Sequence, residues 1–87
     1  MYLAKVYVTY KPSILDPQGE VIKSALHRLN YKNVESVMQG KYFEIKLDAE
    51  DLITAKQEVE AFSDELLINV NMETFTYELS EIAVVGD

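Results

Sequence analysis

The sequence predicts an α+β domain of the ferredoxin-like kind, ordered β-α-β-β-α-β, with a four-stranded antiparallel sheet and two helices on one face. Three observations lead there. Apolar and polar residues alternate with period two near both ends of the chain and again in its middle. Two intervening stretches carry apolar residues at helical spacing. The connections hold the cap and turn residues that such an order needs: Asp16-Pro17, Asn30, Gly40-Lys41 and Asp48.

The first strand is expected over residues 2–10, with Tyr2, Ala4, Val6, Val8 and Tyr10 on one face and Leu3, Lys5, Tyr7 and Thr9 on the other. Asp16-Pro17 then opens a helix over 17–30. The carboxylate can accept from the unpaired amides of the first turn, and proline loses no hydrogen bond at the first helical position. Val21, Ile22, Ala25, Leu26 and Leu29 form the apolar stripe, opposite Glu20, Lys23, Ser24, His27 and Arg28. Asn30 is placed to end the helix in a left-handed conformation. Residues 33–39 and 42–48 read as a hairpin about Gly40-Lys41, with glycine suited to the first central position of a type II′ turn. Asp48 is expected to cap the second helix, with Glu50 and Asp51 favourable near its positive end. The stripe of Leu52, Ala55, Val59, Phe62 and Leu66 carries that helix to about Leu67, where Asn69 can stop it. A last strand is expected over 71–80, and residues 81–87 either extend it or fray. The whole chain, 1–87, reads as a single domain.

Eighty-seven residues allow one two-layer core and little room for a deep cavity. The uncovered sheet face would show Leu3, Tyr7 and Tyr42, an apolar surface suited to a second copy, so a homodimer is expected. The net charge is −7 and Arg28 is the only arginine, which argues against nucleic acid and against an anionic membrane surface. Without cysteine there is neither a disulfide nor a thiolate metal site. The chain enters a strand pattern at once with no basic leader, and no run approaches the roughly 20 apolar residues of a membrane span, so a cytoplasmic protein is expected.

Catalytic chemistry is hard to assemble from these residues. A nucleophile needs an adjacent base and a group that orients the base. His27 is the only histidine and reads as an ordinary surface residue. Asp48, Glu50 and Asp51 have the spacing of a helix start and lack the ligand pattern of a calcium loop. Gly40-Lys41 precedes a strand and lacks the rest of a phosphate-binding loop, so a plain turn is favoured over a phosphate or protein contact. Taken alone, Lys11 is a solvated loop lysine.

The stretch Lys11-Pro12-Ser13-Ile14-Leu15-Asp16-Pro17-Gln18-Gly19 contains more than helix initiation asks for. Glycine in a first helical turn costs about 1 kcal/mol relative to alanine, which suggests close approach by another backbone or a partner. The segment resembles the Lys…Leu-Asp-Pro-Gln-Gly signature of the PurS-type small subunit of phosphoribosylformylglycinamidine synthase. Lys5-Val6-Tyr7-Val8 is similar to that family's opening strand, and Val34 to Val37 followed by Gly40-Lys41 to its hairpin, with Met38 where arginine is usual. Leu66-Leu67-Ile68-Asn69 resembles the close of its second helix, and Val70-Asn71-Met72-Glu73 stands where the family has Pro-Val-Ile-Glu. The resemblance implies a subunit that is not itself a catalyst. It would form a homodimer and join a glutaminase subunit to a large synthetase subunit in de novo purine biosynthesis. No cofactor would be bound by this chain, and the assembled complex would use ATP, Mg2+ and glutamine. On this reading Lys11, Asp16, Pro17, Gln18, Gly19, Gly40 and Lys41 shape a partner-facing surface.

Two other readings use the same fold. A stand-alone regulatory module would saturate with an amino acid or nucleotide, and no strong effector motif is present. An acylphosphatase-like hydrolase would need an arginine in the loop after the first strand, and Arg28 lies near the end of the helix.

Overall fold

The structure is a computed structural model that describes residues 1–83. The central element is β1, Tyr2–Tyr10, which pairs antiparallel on one side with β2, Lys41–Leu47, and on the other with β3, Glu73–Glu81. Val8 faces Lys41 across the first ladder, and Tyr10 faces Glu73 across the second. Helix α1 covers Pro17–Arg28 and α2 covers Leu52–Phe62, running on into a π-helical turn, Ser63–Leu67. The stop expected near Leu67 thus holds, although the last turn changes helix type. Part of the expected tail, residues 84–87, lies outside the described residues.

The expected four-stranded sheet is corrected to three strands in the order β2-β1-β3, so the chain reads β-α-β-α-β among the described residues. The stretch over 33–39 is not a strand. Its apolar residues, Val34, Val37 and Met38, do not alternate, and Val37 and Met38, being adjacent, fall on opposite faces of a period-two ribbon. Its backbone is also engaged elsewhere: Val34 O meets His27 Nε2 at 2.8 Å, and Gln39 N donates to Asp16 at 2.7 Å. Both partners belong to α1 and its cap. No tight hairpin forms at Gly40-Lys41, and Gly40 does not take the positive φ of a type II′ turn. The cap of α2 is also corrected. Asp51, three residues beyond Asp48, holds the first turn by accepting from Thr54 N at 2.8 Å. The left-handed stop at Asn30 is present, with φ 77°. Tyr31 N donates to Leu26 O and Asn30 N to His27 O, the paired bonds of a Schellman ending.

Period-two patterning places the core on the face of β1 that holds Ala4, Val6 and Val8, with Val59 of α2 against them. Phe43, Ile45 and Leu47 of β2, Phe75, Tyr77 and Leu79 of β3, and Phe62, Leu67 and Ile68 complete it. The expectation that both helices cover one face is corrected, because α1 contributes no side chain to this core. Its only buried residue is Gly19, while Val21 is 67% and Leu29 66% exposed. The chain is therefore elongated, 51 × 31 × 17 Å, with a radius of gyration of 17.1 Å. A compact domain of this length has about 12 Å. The face opposite the core is mixed. Tyr7 and Tyr42 pack with ring centroids 5.1 Å apart, and Lys5 lies between Glu44 and Glu78 in the ladder. No helix among the described residues is long and apolar enough to cross a membrane.

Candidate functional site

Asp16 organises the region after β1. Its Oδ1 accepts from Gln18 N at 3.1 Å and Gly19 N at 3.0 Å, the ordinary work of a helix cap. Its Oδ2 accepts from Gln39 N at 2.7 Å, a contact across 23 residues of chain. Three N–H donors thus engage both carboxylate oxygens, and the residue is only 9% exposed. The Gln39 amide, then the Gly19 amide, hold its pKa below the usual carboxylate range, against the opposing effect of burial.

Gly19 and Gly40 are required by close approach, and neither has a positive φ. A Cβ on Gly19 would lie 2.2 Å from Val37 O, and one on Gly40 2.4 Å from Val8 O. The connection through 34–39 is thus pressed onto the first turn of α1 at Gly19, tied to the cap at Gln39 and held to the last turn by His27. The bond from His27 needs the imidazole protonated on Nε2, and the ring is half-buried, so the reading of His27 as a plain surface residue is corrected.

These contacts bring the two separated motifs together. Asp16, Gln18, Gly40 and Lys41 line one cleft of about 120 Å³ at the C-terminal end of β1, with Thr9, Tyr10, Gln39 and Glu73. Gly19 is not in that lining and packs against Val37 O. Lys11 lines a neighbouring recess with Leu15 and Met38, and its amide donates to Met72 O at 2.9 Å. Pro17 flanks an apolar groove with Val21 and Ile22. Lys41 Nζ stands 3.7 Å from Glu73 Oε2. Gln39 and Glu73 were not among the residues expected at the site. Glu73 carried a signal, since it closes the stretch similar to Pro-Val-Ile-Glu, whereas Gln39 carried none beyond its place beside Gly40.

The cleft offers an ammonium, two carboxamides and two carboxylates that are already engaged. Its lining lacks a histidine, and among the described residues no three His, Cys, Asp or Glu side chains gather as a metal site. Such a surface can recognise a polar partner by charge and hydrogen bonds.

The comparisons with known proteins agree with one another. The family described as "PurS: Phosphoribosylformylglycinamidine (FGAM) synthase" matches residues 3–81. The synthase subunit PurS of a Synechocystis species is 40% identical over 93% of this chain and 81% of its own. Among solved structures, Bacillus subtilis PurS superposes with a TM-score of 0.84 at 40% identity, over 93% of this chain and 100% of the other. A chain from the PurLQS structure of Thermotoga maritima superposes with a TM-score of 0.80 at 25% identity, over 92% of this chain and 99% of its own. The signature loop, the Gly-Lys pair that meets it and these matches along nearly the whole length place the chain in the PurS family of phosphoribosylformylglycinamidine synthase subunits.

Proposed function

We propose that this chain is the non-catalytic bridging subunit of a glutamine-dependent formylglycinamide ribonucleotide amidotransferase in the cytoplasm. It joins a glutaminase subunit to a large synthetase subunit so that ammonia released at one site reaches the other. The observation that carries this reading is the convergence of Asp16 and Gln18 with Gly40-Lys41 on one polar cleft. A rigid recognition surface built from two distant motifs suits an adaptor. ATP, Mg2+ and glutamine belong to the partner subunits in this scheme. The chain supplies register, because ammonia that escapes into neutral water is mostly protonated, and the ammonium ion has no lone pair with which to attack.

The bridging unit is a homodimer, and its apolar contact is α1. An 87-residue chain with a radius of gyration of 17.1 Å leaves one helix outside its own core. Val21 and Ile22 on α1, Leu29 at its C-terminal cap, and Leu15 and Met38 are exposed apolar residues that a second copy would bury. The face opposite the core suits this less well, since charged pairs flank its tyrosines.

Assembly tests the bridge. The chain, mixed with the glutaminase and synthetase subunits in the presence of glutamine and ATP·Mg2+, should co-elute with both on size exclusion. Lys11→Glu should weaken co-elution while leaving the melting temperature within a few degrees. Failure of the unaltered chain to associate with either subunit would overturn the reading.

A further inference from the structure

We infer that Glu73 is a positioning residue for the partner-facing surface: it holds the Lys41 ammonium at the cleft so that an acidic group on a partner subunit meets it there. The inference rests on the bridging reading. Its basis is where these two charges sit in the sheet.

On the core-facing side, β2 presents Lys41, Phe43, Ile45 and Leu47, and β3 presents Glu73, Phe75, Tyr77 and Leu79. In the β2 series only Lys41, at the cleft, is charged, and the β3 series is charged at its two ends, Glu73 at the cleft and Glu81 opposite Tyr2. These residues open the two edge strands on opposite sides of β1, so the pair spans the end of the central strand, where Val8 faces Lys41 and Tyr10 faces Glu73. The Glu73 side chain is only 13% exposed. A shielded carboxylate at the end of an apolar row is unfavourable unless its oxygens are matched. Oε1 accepts from Asn69 N at 2.8 Å, which serves the turn before β3. Oε2 lies 3.7 Å from Lys41 Nζ, too long for a hydrogen bond and close enough to direct the ammonium electrostatically. The Lys41 side chain is 61% exposed and has four rotatable bonds. Biasing it toward one region lowers the ordering cost that a partner's acidic group would otherwise meet.

A turn-bracing role needs only the oxygen that accepts from Asn69, and an amide keeps that oxygen. Glu73→Gln therefore separates bracing from positioning. The measurement is the affinity of the chain for the glutaminase and synthetase subunits, for Glu73→Gln, Lys41→Met and the double variant, at two salt concentrations, alongside thermal melts. Each single change should weaken assembly by about threefold to fivefold. The double variant should be no weaker than Lys41→Met alone, and the salt dependence of assembly should fall in those two, which lose the ammonium, and persist in Glu73→Gln, which keeps it. Unchanged assembly in Glu73→Gln, or losses that multiply in the double variant, would overturn the inference. If Glu73→Gln proves too unstable to assay, Glu73→Asp, with its charge withdrawn by one methylene, should show part of the same loss, and wild-type affinity there would overturn it. The unaltered chain is the internal control: its failure to assemble would count against the bridging reading, whereas its assembly without coupling would count against Glu73 alone.

Discussion

Asp16 joins two parts of the chain through one side chain, and this sets what its removal does. Asp16→Ala would leave the amides of Gln18, Gly19 and Gln39 without their acceptor. The melting temperature should fall by roughly 5–10 °C, with Asp16→Asn intermediate because it keeps one oxygen acceptor. The pH dependence follows from the lowered pKa. A carboxylate whose folded pKa lies below its unfolded value contributes stability fully above about pH 4, and loses it as pH falls through the folded value. Melts between pH 6 and pH 2 should show that decline, and Asp16→Asn should flatten part of it. The remainder includes Asp51, whose carboxyl is held low chiefly by the Thr54 amide. Gly19→Ala tests close approach directly. A methyl 2.2 Å from Val37 O must push the 34–39 connection away. Assembly with the partner subunits should fall more than tenfold, measured by titration calorimetry.

At the scale of elements, the ends written in local chemistry were legible and the pairings set by distant groups were not. Strict alternation gave β1 its observed limits, and Pro17 and Asn30 gave α1 its start and its left-handed stop. Asn30→Gly should raise stability by about 0.5–1 kcal/mol, since φ 77° costs glycine nothing, and thermal melting would show it. The segment over 33–39 departs from the expected hairpin because its bonds with Asp16 and His27, remote in sequence, decide its path. The cap of α2 was misplaced among Asp48, Glu50 and Asp51, each a plausible acceptor. Only the geometry with Thr54 selects Asp51. The site shows the same division. Its motifs stand in the sequence as Asp16–Gly19 and Gly40-Lys41, but their meeting depends on contacts between residues far apart in the chain, Gln39 with Asp16 and Val37 with Gly19.

The molecule as a whole leaves α1 outside its core, and the apolar face of that helix is the largest feature a monomer does not explain. The chain should sediment at twice its monomer mass at micromolar concentration. Val21→Glu places a charge on a side chain that is 67% exposed in the monomer, so it should spare the fold and shift the boundary to the monomer mass. A dimer unaffected by that change would move the contact elsewhere. The bridging role is tested most directly by reconstitution. Amidine formation would be followed with the glutaminase and synthetase subunits, with and without this chain, using either glutamine or high ammonia as the nitrogen source. Glutamine-dependent turnover should require the chain, while ammonia-dependent turnover by the synthetase should persist without it. Full glutamine-dependent turnover in its absence would contradict the account.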